Sequence, residues 1–156
     1  MNDENLVTRC GIYCGACYIY RAQRDGEEFL HKIAEWQKVE QDEVKCEGCL
    51  STDEEKWPNC IKCYPQKCLK EKKLDYCYEC DEFIDQCCSF YKELEEFCSK
   101  RGENIRENMI KIKEDTRAYL SEQKEKWSCP SCGKPYSWYE TTCHHCEENL
   151  NRLDIK

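Results

Sequence analysis

Three thiols stand within eight residues near the start of the chain, in CGIYCGAC, at Cys10, Cys14 and Cys17. Three thiolates can hold a metal and leave one coordination position open, or they can be most of a closed site whose fourth ligand lies elsewhere. A stronger signal lies near the other end, where Cys129, Cys132, Cys143 and Cys146 form two C-x-x-C pairs ten residues apart. Each pair suits a tight turn whose backbone N–H groups point at sulfur. The ten intervening residues suffice for a short hairpin, so the spacing predicts a zinc ribbon with four thiolates around one Zn²⁺. The same spacing recurs at Cys46, Cys49, Cys60 and Cys63, and a further pair follows at Cys77 and Cys80.

Spacing does not fix how the middle cysteines divide among metals. Cys60 and Cys63 could join Cys77 and Cys80 as readily as Cys46 and Cys49, and Cys68 with Cys87 or Cys88 are further candidates. The working division places Cys46, Cys49, Cys60 and Cys63 on one ion and Cys68, Cys77, Cys80 and Cys87 on another. The C-x-x-x-C-x-x-C spacing of the opening triad is that of radical-SAM enzymes, but this chain is too short for their partial barrel, and Ala16 stands where an aromatic is favoured. Zinc and a four-iron cluster both accept four thiolates, so ligand type leaves the metal open at the N-terminal sites. His144 and His145 read as exposed knuckle residues, and Cys98 as a small buried residue on a helical face.

Seventeen cysteines could instead be disulfides, but the number is odd. The start, MNDENLVTRCG, has no apolar core or cleavage site of a secretory leader, and no stretch approaches a membrane span. These features lead us to expect a cytoplasmic protein with no membrane association, a setting in which thiols stay reduced and Cys patterns mean metal. Leu, Ile, Val and Phe together number 25 of 156 residues, about 16%, with a net charge of −8. That balance normally signals disorder. A structural zinc site contributes about 10–16 kcal/mol of apparent binding energy in small peptides, so two to four Zn²⁺ ions could replace a missing aliphatic core.

Around these cysteines the chain needs elements to position them. A helix is expected over 26–40, capped by Asp25 with Glu28, its stripe Phe29, Ile33, Trp36 and Val39. A second is expected over about 83–100, with Phe83, Cys87, Phe90, Leu94 and Phe97 in its stripe and Gly102 as a stop. A third runs from Asn104, a cap with Glu107, to about Lys126, its inner face Ile105, Met109, Ile112, Thr116, Tyr119 and Gln123. The last two read as an antiparallel pair, with Met109 as packing. The expected fold class is small α+β and metal-stabilised. A cysteine-rich N-terminal domain spans 1–100, a helical connector 101–126 and a zinc-ribbon β-hairpin unit 127–156.

The segments CGIYCGACYIYRA, KCEGCLS, NCIKCYPQKCLKEKKLDYCYECDEF and WSCPSCGKPYSWYETTCHHC resemble the domain-of-unknown-function-3795 family, followed by a zinc ribbon. The resemblance runs from residue 6 to about 148. It implies pattern positions at Cys10, Cys14, Cys17, Cys46, Cys49, Cys60, Cys63, Cys68, Cys77 and Cys80. The family's Pro-Cys pair after the last C-x-x-C is absent, since Ile84 and Asp85 stand there. The resemblance carries no established activity.

Function is therefore argued from chemistry. Closed four-thiolate sites are structural, which favours a metal-binding interaction module with a protein partner; of Tyr136, Trp138 and Tyr139 some must pack on the small ribbon core, and a surplus aromatic could contact that partner. The alternative is an iron–sulfur or open-site protein handling a cofactor or catalysing a reaction at Cys10, Cys14 and Cys17. The three histidines form no recognisable acid–base constellation, so no catalytic residues are assigned and the reading leans away from an enzyme. Net charge −8 and pI near 5.1 argue against nucleic acid, whose affinity rests on phosphate neutralisation.

Overall fold

A computed structural model describes residues 3–152 of the chain. The first two residues of the expected 1–100 domain and the last four of the expected 127–156 unit lie outside the described residues. The chain is 54% helical and no strand or sheet forms among the described residues, which corrects the expected α+β class and its ribbon hairpin. Among the described residues the α-helices are α1 (Tyr18–Ala22), α2 (Glu27–Gln37), α3 (Pro58–Ile61), α4 (Tyr64–Lys72), α5 (Asp81–Ile84), α6 (Ser89–Ser99), α7 (Ile105–Glu114) and α8 (Thr116–Lys126). Among the described residues no helix is long and apolar enough to cross a membrane.

The hairpin is absent because each C-x-x-C closes on its own flanks instead of pairing with the other. Cys129 N–H donates to the Lys134 carbonyl (2.8 Å) and Tyr136 N–H to that of Trp127 (3.0 Å). Cys143 N–H donates to Glu148 (2.9 Å) and Leu150 N–H to Thr141 (2.9 Å). The linking run is held elsewhere. Ser137 N–H donates to the Glu140 carboxylate (2.6 Å), and Trp138 N–H donates to the Ala16 carbonyl (3.1 Å). Backbone groups committed to a turn and to the opening loop cannot also form a ladder.

Helix α2 starts one residue later than a cap at Asp25 would place it. Gly26 takes the cap position at φ 106, with no side-chain cap, and Asp25 turns instead toward Arg21. The helix ends at Lys38, whose left-handed φ of 58 returns its N–H to the Ala34 and Glu35 carbonyls. Phe29 and Ile33 are buried as the stripe requires, but Trp36 is 53% exposed and lies against Tyr18 and Tyr139.

The helix expected over 83–100 is broken. Gln86 adopts φ 55, and the N–H groups of Cys87 and Cys88 both return to the Glu82 carbonyl (3.0 and 3.2 Å). Helix α6 restarts with Cys88 at its cap, and Tyr91 and Cys98 face the core while Phe97 is exposed. The helix expected over 104–126 divides at Asp115. Its Oδ1 accepts from the N–H groups of Arg117 and Ala118 (both 3.0 Å), which caps α8 and lets it fold back on α7. Lys111 meets Glu122 (2.6 Å), and Gln123 Nε2 donates to Asn108 Oδ1 (3.3 Å), across this pair. Thus the antiparallel partner of α8 is α7, although Asn104 caps α7 through Glu107 N–H as the sequence implies.

The interior is richer than aliphatic counting suggests. One buried cluster joins Leu6, Val7, Tyr13, Tyr20, Tyr91, Ile105, Met109, Tyr119, Trp127, Tyr136 and Trp138, drawn from both ends of the chain. A second joins Ile19, Phe29, Ile33, Val44 and Trp57. Tyr and Trp bury large apolar areas, so they supply much of the core that Leu, Ile, Val and Phe do not. A buried polar network threads it. Asn108 Nδ2 donates to the Gly11 carbonyl (2.8 Å) and to Glu103 Oε2 (2.7 Å), and Trp127 Nε1 donates to Glu103 Oε1 (2.7 Å). These bonds fasten the opening cysteine loop to α7 and to the start of the C-terminal unit.

Candidate metal centres

The C-terminal quartet converges. Cys129 Sγ lies 3.7 Å from Cys146 Sγ, and Cys132 Sγ lies 3.9 Å from Cys143 Sγ. Zn–S bonds of about 2.3 Å set a tetrahedral S···S edge of about 3.8 Å, so the residues present fit a single tetrahedral ion. The two turns are alike: Gly133 (φ 71) and Glu147 (φ 62) each stand four residues after the first Cys of their pair and return their N–H to its carbonyl (both 2.8 Å). The N–H groups of Cys132 and Ser131 turn toward Cys129 and draw its thiol down to about 7. Burial pushes the Cys143 thiol up, against the N–H groups of His145 and Cys146. Cys129 and Cys143 are buried while Cys132 and Cys146 are exposed.

All seventeen cysteines are free thiols. Apart from the quartet and a set formed by Asp25, His144 and His145, no three Cys, His, Asp or Glu donors among the described residues lie within 4.8 Å of one another. The middle cysteines are nevertheless neighbours. Cys10 is buried in the field of Cys49 and Cys63, and its thiol is pushed up to about 12, chiefly by burial. Cys14 lies in the fields of Cys49, Cys17 and Cys46, and burial again raises it most. Cys60 draws the Cys46 thiol down, and Cys60 itself lies in the fields of Cys17 and Cys14. The opening triad therefore does not stand alone, because thiols of both middle C-x-x-C pairs act on it electrostatically.

A third group lines a partly open pocket of about 30 Å³, whose wall includes the tilted pair Tyr64 and Phe90 (4.1 Å). Its thiols are Cys68, Cys77, Cys80 and Cys88. Burial raises the Cys77 thiol, followed by the fields of Cys10, Cys68, Cys88 and Cys80. Lys72 Nζ sits 3.3 Å from Cys80 Sγ and 2.5 Å from Glu82. Cys87 is exposed and does not line the cavity. The left-handed Gln86 turns Cys88 inward, and a continuous helical stripe through Cys87 gives no hint of that break. Cys98 is fully buried and Met109 packs in the core, as their positions imply.

The histidines of the second knuckle differ from the exposed residues expected there. The side chains of His144 and His145 are only 10% and 12% exposed. His144 stacks on Phe29 (3.9 Å, 8°), its Nδ1 lies 2.7 Å from Glu140 Oε1, and its Nε2 lies 3.2 Å from Asp25 Oδ2. Burial opposes charge on this ring, but Asp25 and Glu140 together outweigh it and lift His144 to about 9. Single-residue reasoning missed this group because its members are about 120 residues apart.

Fold and thiols together define a small, mostly helical, cysteine-rich protein with a four-cysteine group able to hold a metal ion. The family described as Protein of unknown function (DUF3795) matches residues 6–93, and the chain belongs to that family. No curated protein and no solved structure matches the chain.

Proposed function

We propose that the chain is a metal-binding module whose thiolate-held ions fix its cysteine-bearing loops for contact with a protein partner. The carrying observation is the C-terminal quartet, whose 3.7 and 3.9 Å sulfur separations suit one tetrahedral zinc closed to water. Cys68, Cys77, Cys80 and Cys88 line one pocket and supply further thiols for metal, although no three of them lie within single-ion spacing. Exposed Trp36, Tyr64, Ile84 and Ile110 supply apolar surface for a partner, while the net charge of −8 disfavours nucleic acid. Free thiols in such number suit a reducing, cytoplasmic setting.

A second reading rests on the N-terminal thiols. Cys10, Cys14, Cys17, Cys46, Cys49, Cys60 and Cys63 share electrostatic neighbourhoods but not single-ion spacing, and an iron–sulfur cluster holds its thiolates farther apart than one ion does. Anaerobic purification, metal analysis and a visible spectrum separate the two. Zinc without an iron–sulfur chromophore, with one ion lost in Cys132→Ser, is the expected result. Full retention of metal in Cys132→Ser would overturn the assignment of the quartet.

A further inference from the structure

We propose that Asp25, His144 and His145 form a separate, open site for a divalent transition-metal ion, adjoining the four-cysteine unit and independent of its thiolates. The ring Nε2 of His145 is buried without a hydrogen-bond partner, and that of His144 has the Asp25 carboxylate at 3.2 Å as its one close neighbour, in poor hydrogen-bond alignment. Both face one carboxylate oxygen, Asp25 Oδ2, at 3.2 Å for His144 and 3.8 Å for His145. Zn–N and Zn–O bonds of about 2.1 Å set a tetrahedral edge of about 3.4 Å, which these separations bracket. Two imidazoles and one carboxylate are a borderline donor set suited to zinc or ferrous iron and unsuited to magnesium or calcium.

The surroundings are those of a positioned ligand set. Glu140 Oε1, 2.7 Å from His144 Nδ1, is placed to accept that ring's other proton and leave Nε2 free to coordinate. Phe29 fixes the ring plane by stacking on it. Arg21 grips Asp25 through Nε to Oδ2 (2.9 Å) and Nη2 to Oδ1 (2.7 Å), which orients the carboxylate while competing for its charge. Asp25 and Glu140 together outweigh that one guanidinium. A fully paired imidazolium explains His144, but not His145, whose Nε2 has only the 3.8 Å approach to Asp25. An ion among the three donors satisfies both rings.

The site borders a groove of about 790 Å³ that runs past Glu27, Glu28, His31 and Glu147. Three protein donors leave a coordination position for water or an anionic ligand entering from that groove, the arrangement of exchangeable rather than purely structural metals. Because Asp25 precedes α2 and the histidines lie between Cys143 and Cys146, the ion would also tie the two ends of the fold together.

The test uses the full chain with its thiolate sites already filled with zinc. Further Zn²⁺ is titrated in, zinc per chain is measured, and the histidine ring nitrogens are followed by ¹⁵N NMR. One additional ion is expected, with both Nε2 resonances shifting together. His145→Gln is expected to weaken that ion by more than about 100-fold, and Glu140→Gln by about 10–100-fold. His145 makes no close ion pair, and its ring packs on His144 (4.0 Å), so far-ultraviolet circular dichroism of the variant checks that the fold is kept. An unchanged thiolate-to-cobalt charge-transfer band in a cobalt-substituted sample verifies that the quartet is intact. Equal zinc per chain in wild type and His145→Gln, or unshifted Nε2 resonances, would reduce the group to an ion pair and overturn the proposal. Absence of the thiolate band in wild type would instead count against the four-cysteine reading alone.

Discussion

Gly11→Ala probes the joint on which the opening triad depends. Gly11 has φ 95, and a Cβ there would lie 2.2 Å from the Ile105 carbonyl oxygen and 3.2 Å from Met109 Cγ. The backbone conformation costs an L-residue about 1–2 kcal/mol. Relieving the collision means moving the loop from α7, and overpacking of this kind costs about 1–3 kcal/mol more. The same movement strains the one proton that Tyr91 Oη shares between the carbonyls of Cys10 (2.8 Å) and Ile105 (3.2 Å), and the Asn108 bond to Gly11, together worth about 1 kcal/mol when weakened rather than lost. A loss of about 3–5 kcal/mol is expected, a large share of a small domain's stability. Gly102→Ala is the control. Gly102 has φ 81, but its added Cβ would meet only Arg152 Nη2, at 3.8 Å, so backbone strain of about 1–2 kcal/mol should be its whole cost. Urea unfolding of both metal-loaded variants measures the difference. A Gly11→Ala loss no larger than that of Gly102→Ala would refute the close docking of the loop against α7.

Asn108→Ala should cost about 2–4 kcal/mol in the same assay, because it strips donors from the Gly11 carbonyl and from buried Glu103; a loss under about 0.5 kcal/mol would contradict the network. Trp138→Ala should cost about 3–5 kcal/mol. Because Trp138 N–H is bonded to the Ala16 carbonyl and its ring is buried in the cluster shared with Tyr13 and Tyr20, amide exchange should accelerate near residues 13–20 as well as in 127–150. Acceleration confined to 127–150 would show that the two regions are energetically separate.

The cysteine spacing alone specified the C-terminal quartet, because C-x-x-C is a local geometry: a short turn presents both sulfurs and adjacent N–H groups to one point. Asn104 as a cap and Cys98 and Met109 as packing were legible for the same reason, since each depends on neighbours within a turn or on one helical face. The α+β class was not, because a hairpin between the knuckles competes with bonds that only the folded chain offers, such as Ala16 to Trp138. The helix breaks at Gln86 and Asp115 escaped periodicity, which reports the stripe and not the dihedral that interrupts it. Aliphatic counting likewise understated a core that tyrosine and tryptophan fill.

Thus the sequence by itself determined which residues can bind metal and which turns bring the nearest of them together. Only the tertiary structure decided that Cys88 rather than Cys87 lines the pocket, that thiols of both middle C-x-x-C pairs act on the opening loop, and that Asp25 meets His144 and His145. The physical reason is range. Spacing of a few residues constrains geometry through the stiffness of the backbone, whereas donors about 120 residues apart are placed by the sum of burial and hydrogen bonding over the whole chain.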